Sequence, residues 1–156
     1  ENNYLGIEVH GPGVGSLLML IEKYELNNIR VIRHDAVIVL QNMIADNSID
    51  GFHIFFPDPW HKKRHHKRRI IQPEFVQLLC NKLKIGGYIH LATDWEDYAQ
   101  HMLSVLSQNQ ELSNQSPIGD FVLRPSYRPL TKFEKRGINL GHKVWDLIFV
   151  KTLPQK

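Results

Sequence analysis

The stretch "GIEVHGPGVGSLLML", residues 6–20, decides how this chain is read. An apolar strand runs into three glycines, Gly11, Gly13 and Gly15, and then into an apolar helix. That order outlines a strand–turn–helix phosphate cradle. The spacing does not complete one. A dinucleotide loop is written G-x-G-x-x-G, whereas these glycines stand two apart and Pro12 removes an amide from the would-be cradle. Glu8 closes the strand just ahead of the turn, where a carboxylate has no helix cap to make. An acid at that place is what holds ribose hydroxyls in dinucleotide and adenosyl-cofactor folds.

Working outward, short apolar strands alternate with helical segments. Residues 4–9, 29–33, 49–56 and 88–93 read as strands. Pro12 to Leu26 reads as a helix with proline in its first turn, and residues 36–44 as helical or mixed. A helix is expected from Pro73 to Lys84, stopped by Gly86-Gly87, and another over residues 94–109. "FVLRP" (121–125) and "HKVWDLIFVKT" (142–152) are expected to close the chain as an antiparallel pair. Strand–helix alternation of this kind means one α/β domain over residues 1–156 with a largely parallel sheet. Ligands in such sheets sit beyond the carboxyl ends of the strands.

Each of the first four strands ends in an acid: Glu8, Asp35, Asp58 and Asp94. Asp35 reads either as the N-cap of the next helix or as a ligand. Asp94 lies in "TDWE", a pattern that Thr93 and Glu96 also fit as a capping box. Asp58 is the least bland. "FFPDPW" holds it between two prolines, each fixing φ near about −65° and donating no backbone hydrogen bond. The residues before those prolines are expected to be extended. The result is a stiff loop presenting one carboxylate, with Trp60 beside it for stacking on a planar base. "TKFEKRG" (131–137) reads as a capping box, Thr131 with Glu134, in an exposed basic loop of the kind that carries sites.

The chain has 156 residues and a net charge of +3, distributed unevenly. "HKKRHHKRR", His61 to Arg69, holds six permanent cations and three histidines with no acid, which points to a polyanion. The single cysteine, Cys80, excludes an internal disulfide and a multi-cysteine zinc site. It recurs at helical spacing with Phe75, Val76, Leu79 and Leu83, the pattern of a core thiol. No apolar run is long enough to span a bilayer. The first residue is Glu rather than Met and no secretory signal precedes the first strand, so the start reads as clipped.

Together, "GIEVHGPGVG", "HDAV", "FFPDPWHKKRHHKRRI", "GGYIHLATDWEDYAQHML", "RPLTKFEKRG" and "GHKVWDLIFVK" closely resemble the bacterial tRNA (guanine-N7)-methyltransferase family, in order and over nearly the whole chain. The resemblance implies a Rossmann-like class I S-adenosylmethionine-dependent methyltransferase fold with sheet order 3-2-1-4-5-7-6. It matches Ile7 to the second strand of that order, so the first central strand and its glycine loop are expected to be missing from this sequence. It further implies S-adenosyl-L-methionine as cofactor, tRNA as partner, and N7 of guanosine 46 in the tRNA variable loop as target. Glu8, Asp35 and Asp58 match the cofactor-binding positions, and Asp58 the catalytic acid. Lys62, Asp94, Thr131, Lys132, Phe133 and Glu134 match positions that contact the substrate. Arg64, His65, His66, Lys67, Arg68 and Arg69 match the RNA-contacting stretch. No metal and no membrane are implied, and the expected compartment is the cytoplasm.

Two rival readings differ in class. A non-catalytic RNA-binding α/β module explains residues 61–69 but not the row of strand-end acids, which would repel phosphate. A nicotinamide-dependent oxidoreductase rests on the glycine turn and Glu8, fails on glycine spacing, and leaves "PDPW" unexplained.

Overall fold

The structure, a computed structural model, describes residues 2–153. They fall into two compact units, divided between Ile44 and Ala45.

In the first unit, β1 (Tyr4–Ile7) and β2 (Ile29–Ile32) pair in parallel from Tyr4 opposite Ile29 to Ile7 opposite Ile32. The crossover between them is α1 (Gly11–Lys23). Its first five residues contain the three glycines and Pro12, none of those glycines at positive φ, so the glycine turn is ordinary helix rather than a phosphate loop. Gly11 lies against the Arg33 guanidinium: a Cβ there would meet it at 3.0 Å and that exposed side chain would have to shift. Helix α2 (Ala36–Met43) follows β2 and is capped by Asp35, whose Oδ1 accepts from the Ile38 amide at 3.1 Å.

In the second unit the sheet order is β3-β4-β6-β5. β3 (Ile49–Phe55) runs parallel to β4 (Leu83–Thr93), with Phe55 opposite Ala92. β6 (Trp145–Lys151) is antiparallel to β4 and to β5 (Leu112–Asn114). Taken separately, the order β2-β1 matches the 3-2 stretch of the expected 3-2-1-4-5-7-6, and β3-β4-β6-β5 matches its 4-5-7-6 stretch. Helices α3 (Pro73–Lys82) and α4 (Glu96–Gln108) pack on each other and on β4. The core there comprises Val76, Leu79, Cys80, Tyr98, Met102 and Leu106 with Ile89, Leu91, Leu147 and Phe149. Burial pushes the Cys80 thiol up to about 12, as befits a core residue with no chemistry. Because side chains alternate along a strand, His53, Tyr88, His90 and Asp146 are set apart from Ile89, Leu91 and Leu147.

Four local expectations fail for tertiary reasons. The α3 helix ends at Lys82, and Gly86-Gly87 lies inside β4. Leu83 is already extended and fully buried opposite Ile49, while the buried Lys151 ammonium takes the Cys80 and Leu83 carbonyls at 2.7 and 3.0 Å. The glycines serve the register shift instead: a Cβ on Gly87 would meet the Asp50 carbonyl at 3.0 Å. "FVLRP" forms no strand, only one bridge between Val122 and Asp146, and the partner of β6 is Leu112–Asn114. Pro125 cannot donate to a ladder and opens a turn in which its carbonyl accepts from the Arg128 amide at 3.1 Å. The Thr93–Glu96 capping box is absent because α4 starts at Glu96, and the Thr93 hydroxyl accepts from the Trp95 amide instead. Phe56, ahead of Pro57, is left-handed at φ 52° rather than extended.

Candidate active site

Asp58 and Asp94 follow β3 and β4, which are parallel and in register at Phe55 and Ala92, so both acids lie at the same end of that sheet. The Asp58 loop is held from both sides. Phe56 donates its amide to the Ala92 carbonyl at 2.7 Å, and Phe56 and Trp60 both adopt positive φ, at 52° and 43°. Such conformations persist in non-glycine residues only where their surroundings enforce them. Asp58 itself is exposed, and its side chain has no hydrogen bond or ion pair among the described residues.

The basic run forms a single 3-10 segment, Lys63–Arg68, immediately after this loop. Lys62, Lys63, Arg64 and Lys67 face solvent. The exposed Arg68 lies over the Trp60 ring at 5.1 Å, and His65 meets the same ring edge-on. Arg69 departs from the RNA-contacting reading. It is 3% exposed, donates from Nε to the Pro59 carbonyl at 2.7 Å and from Nη2 to Asp97 at 2.6 Å, and covers the Tyr98 ring. That hydrogen bond is the first cause holding the Asp97 carboxyl below its ordinary range. Arg69 therefore ties the Asp58 loop to α4 and is almost wholly buried. His66 is half-buried beside the same Asp97, at 3.7 Å.

Helix α5 (Lys132–Asn139) brings the "TKFE" block to this region. The Thr131 hydroxyl accepts from the Glu134 amide at 3.2 Å, which is half of the expected capping box. The other half is lost because the Glu134 carboxylate is buried and bidentate to Arg128, at 2.7 and 2.8 Å. Lys132 and Phe133 are exposed, and Phe133 meets Phe56 edge-on at 5.7 Å. Asp94 borders a groove of about 430 Å³ with Trp95, Glu96, Gly141, His142, Lys143 and Trp145.

Glu8 and Asp35 belong to the first unit. Glu8 does make local bonds: its Oε1 accepts the Val9 and His10 amides at 2.7 and 2.9 Å, tying the turn ahead of α1. Glu8 thus spends one oxygen on two backbone amides and Asp35 one oxygen on a single amide; the second oxygen of each exposed acid makes no hydrogen bond among the described residues.

Sequence reading missed the buried part of the site. Asp146 on β6 accepts from Arg128 Nε at 2.7 Å and Nη2 at 2.8 Å, and lies 2.7 Å from His90 Nε2. His90 Nδ1 in turn meets the Tyr127 hydroxyl at 2.9 Å. Burial alone would raise the Asp146 pKa, but hydrogen bonds from His90 and Arg128 bring it below the ordinary value. The available signal was a charged Asp146 at an inward position among the apolar residues 145–150 of the last strand.

The fold is that of methyltransferases. Solved structures with the same architecture include a SAM-dependent O-methyltransferase from Thermotoga maritima, at TM-score 0.60, 14% identity, 99% of this chain and 51% of that one. An rRNA methylase from Streptococcus thermophilus aligns at TM-score 0.60 and 10% identity, over 97% of this chain and 74% of that one. A family model described as "Putative methyltransferase" matches residues 1–147. A tRNA (guanine-N(7)-)-methyltransferase of Nitrosomonas eutropha is 62% identical over 97% of this chain and 67% of its own length. The Chromobacterium violaceum protein of that name is 64% identical over 96% of the chain and 65% of its length, and the Neisseria meningitidis serogroup A protein 64% over 96% and 62%. The chain belongs to this family of tRNA (guanine-N7)-methyltransferases. It spans 62 to 67% of the length of these curated relatives.

Proposed function

We propose that the protein transfers a methyl group from S-adenosylmethionine to N7 of a guanosine in tRNA, at position 46 of the variable loop. The observation that carries this reading is the Asp58 loop: an exposed, unpaired carboxylate on a strained, doubly braced turn, continuous with a run of solvent-facing cations. Relatives above 60% identity that carry this activity in their names support it.

The residues fit the cofactor's chemistry. Glu8 and Asp35 each keep a carboxylate oxygen for donors such as ribose hydroxyls or an adenine amino group. S-adenosylmethionine, when bound, supplies an electrophilic methyl on a sulfonium. Guanine N7 carries an in-plane lone pair and needs no general base, so the protein's task is orientation and exclusion of water. As the N7–methyl bond forms and the sulfur–methyl bond breaks, positive charge passes to the base. Asp58 favours that charge, and its oxygens can accept N1–H and N2–H of guanine, which rejects adenine. Lys62, Asp94, Thr131, Lys132 and Phe133 line the substrate side, with Glu134 acting from below through Arg128. Lys63, Arg64, Lys67 and Arg68 neutralise tRNA phosphates, the main source of such affinity, and His65 and His66 flank them. Among the described residues no helix is long and apolar enough to cross a membrane. The cytoplasm is the expected compartment.

The test is direct. The complete gene product is incubated with labelled S-adenosylmethionine and unmodified tRNA transcript, and the digested RNA is examined for 7-methylguanosine. Its appearance supports the reading; tRNA binding without methyl transfer refutes it in favour of an RNA-holding role.

A further inference from the structure

Arg128 sits in "RPSYRP" (124–129) with 2% of its surface exposed. Its guanidinium makes four charge-assisted bonds, two to Glu134 on α5 and two to Asp146 on β6, all between 2.7 and 2.8 Å. The same group lies over Phe55 and Phe56, at 5.8 and 5.7 Å from the ring centroids. Phe56 is the left-handed residue that opens the Asp58 loop. One side chain therefore touches the end of β3 where it enters that loop, the helix that carries Lys132 and Phe133, and the central strand β6. His90 and Tyr127 continue the network behind Asp146 and fix the orientation of its carboxylate.

We propose that Arg128 is a positioning residue for methyl transfer: a buried clasp that sets the Asp58 loop against the N-terminus of α5. It acts through Phe56 and Glu134 and touches no reacting atom. Only a planar fork can bind two carboxylates bidentately while stacking on two rings, so lysine, a point charge on a flexible stem, is a poor replacement. The proposal rests on the methyl-transfer reading above.

The experiment compares the complete wild-type gene product with Arg128→Lys and, as a control, Lys84→Ala, which removes only a surface pair with Asp50. Steady-state methyl transfer, Tm and hydrogen exchange by segment are measured for each. Arg128→Lys should lower kcat by about 10²-fold, the effect of a misplacement near 1 Å. Its KM for S-adenosylmethionine should stay within about twofold, because ground-state binding is untouched. Exchange should quicken in residues 55–61 and 129–137, starting with the Phe56 amide, and stay unchanged in α4. Unaltered kcat and exchange overturn the proposal. So does a loss that merely follows Tm and vanishes on cooling, since that marks a structural ion pair. If Arg128→Lys does not fold, Glu134→Gln keeps the shape and must show the same pattern of exchange and kcat. Should the wild type itself form no 7-methylguanosine, the functional reading fails; the clasp is then judged by exchange, where an unchanged profile overturns it.

Discussion

Two proline-bracketed segments of the same unit treat their charges in opposite ways. In "FFPDPW" the carboxylate of Asp58 stands in solvent without a partner among the described residues, and in "RPSYRP" the guanidinium of Arg128 is buried with two, through four hydrogen bonds. Prolines bound both residues, so their presence alone does not sort the two segments. The difference is what converges from elsewhere. Arg128 meets Glu134, six residues on, and Asp146, eighteen on, and buried charge is tolerable only with such partners. The cations nearest Asp58 in sequence, Lys62 to Arg64, face the same water and do not close on it. One segment spends its charge on structure; the other leaves it exposed to solvent.

The largest effect is expected at the buried end. Arg128→Met leaves Glu134 and Asp146 as uncompensated buried carboxylates and should destabilise the protein by about 3–5 kcal/mol. At this chain length that is a fall in Tm of roughly 6–20 °C, read by calorimetry. A drop under a few degrees would mean that the ion pairs are not maintained.

At the exposed end the effects should be reversed. Asp58→Ala should leave Tm nearly unchanged, within about 0.5 kcal/mol, because no contact is lost. Methyl transfer should fall by about 10²–10³-fold, the usual cost of one preorganised electrostatic partner, with tRNA affinity little altered. Turnover at the wild-type rate would remove Asp58 from catalysis.

Within the basic run the same contrast separates neighbours. With Arg69 turned inward, five cations from Lys62 to Arg68 remain for phosphate, giving a log–log salt slope of about −3.5 to −4.5 if all engage. Replacing Arg64, Lys67 and Arg68 with alanine should flatten that slope by about 2–3, while Arg69→Ala should lower Tm and leave the slope alone. A slope that responds to Arg69 would place its side chain at the RNA after all.

The smallest effect is on acid stability. The folded-state pKa of Asp146 is depressed, so its stabilisation is present above about pH 4 and is lost as pH falls through the lowered value. Tm measured between about pH 3 and 6 should decline at the acid end, and Asp146→Asn, whose own Tm is lower throughout, should decline less steeply.

Much of this was legible along the chain. Strand and helix alternation appears in the order expected, Asp35 is the cap that one of its two readings required, and Cys80 is a core thiol. The errors share a cause. Glycines taken as a helix stop serve a register shift, and Thr93 and Glu96 meet a helix that begins too late for a box. Arg69, expected at the RNA, is bonded to Asp97 twenty-eight residues away. Sequence alone determined the periodicities, the stiffness of the Pro-Asp-Pro turn and the concentration of positive charge, because these depend on near neighbours and backbone sterics. Tertiary structure alone decided which charges face water and which are buried, because that choice depends on partners brought together from separate strands and helices.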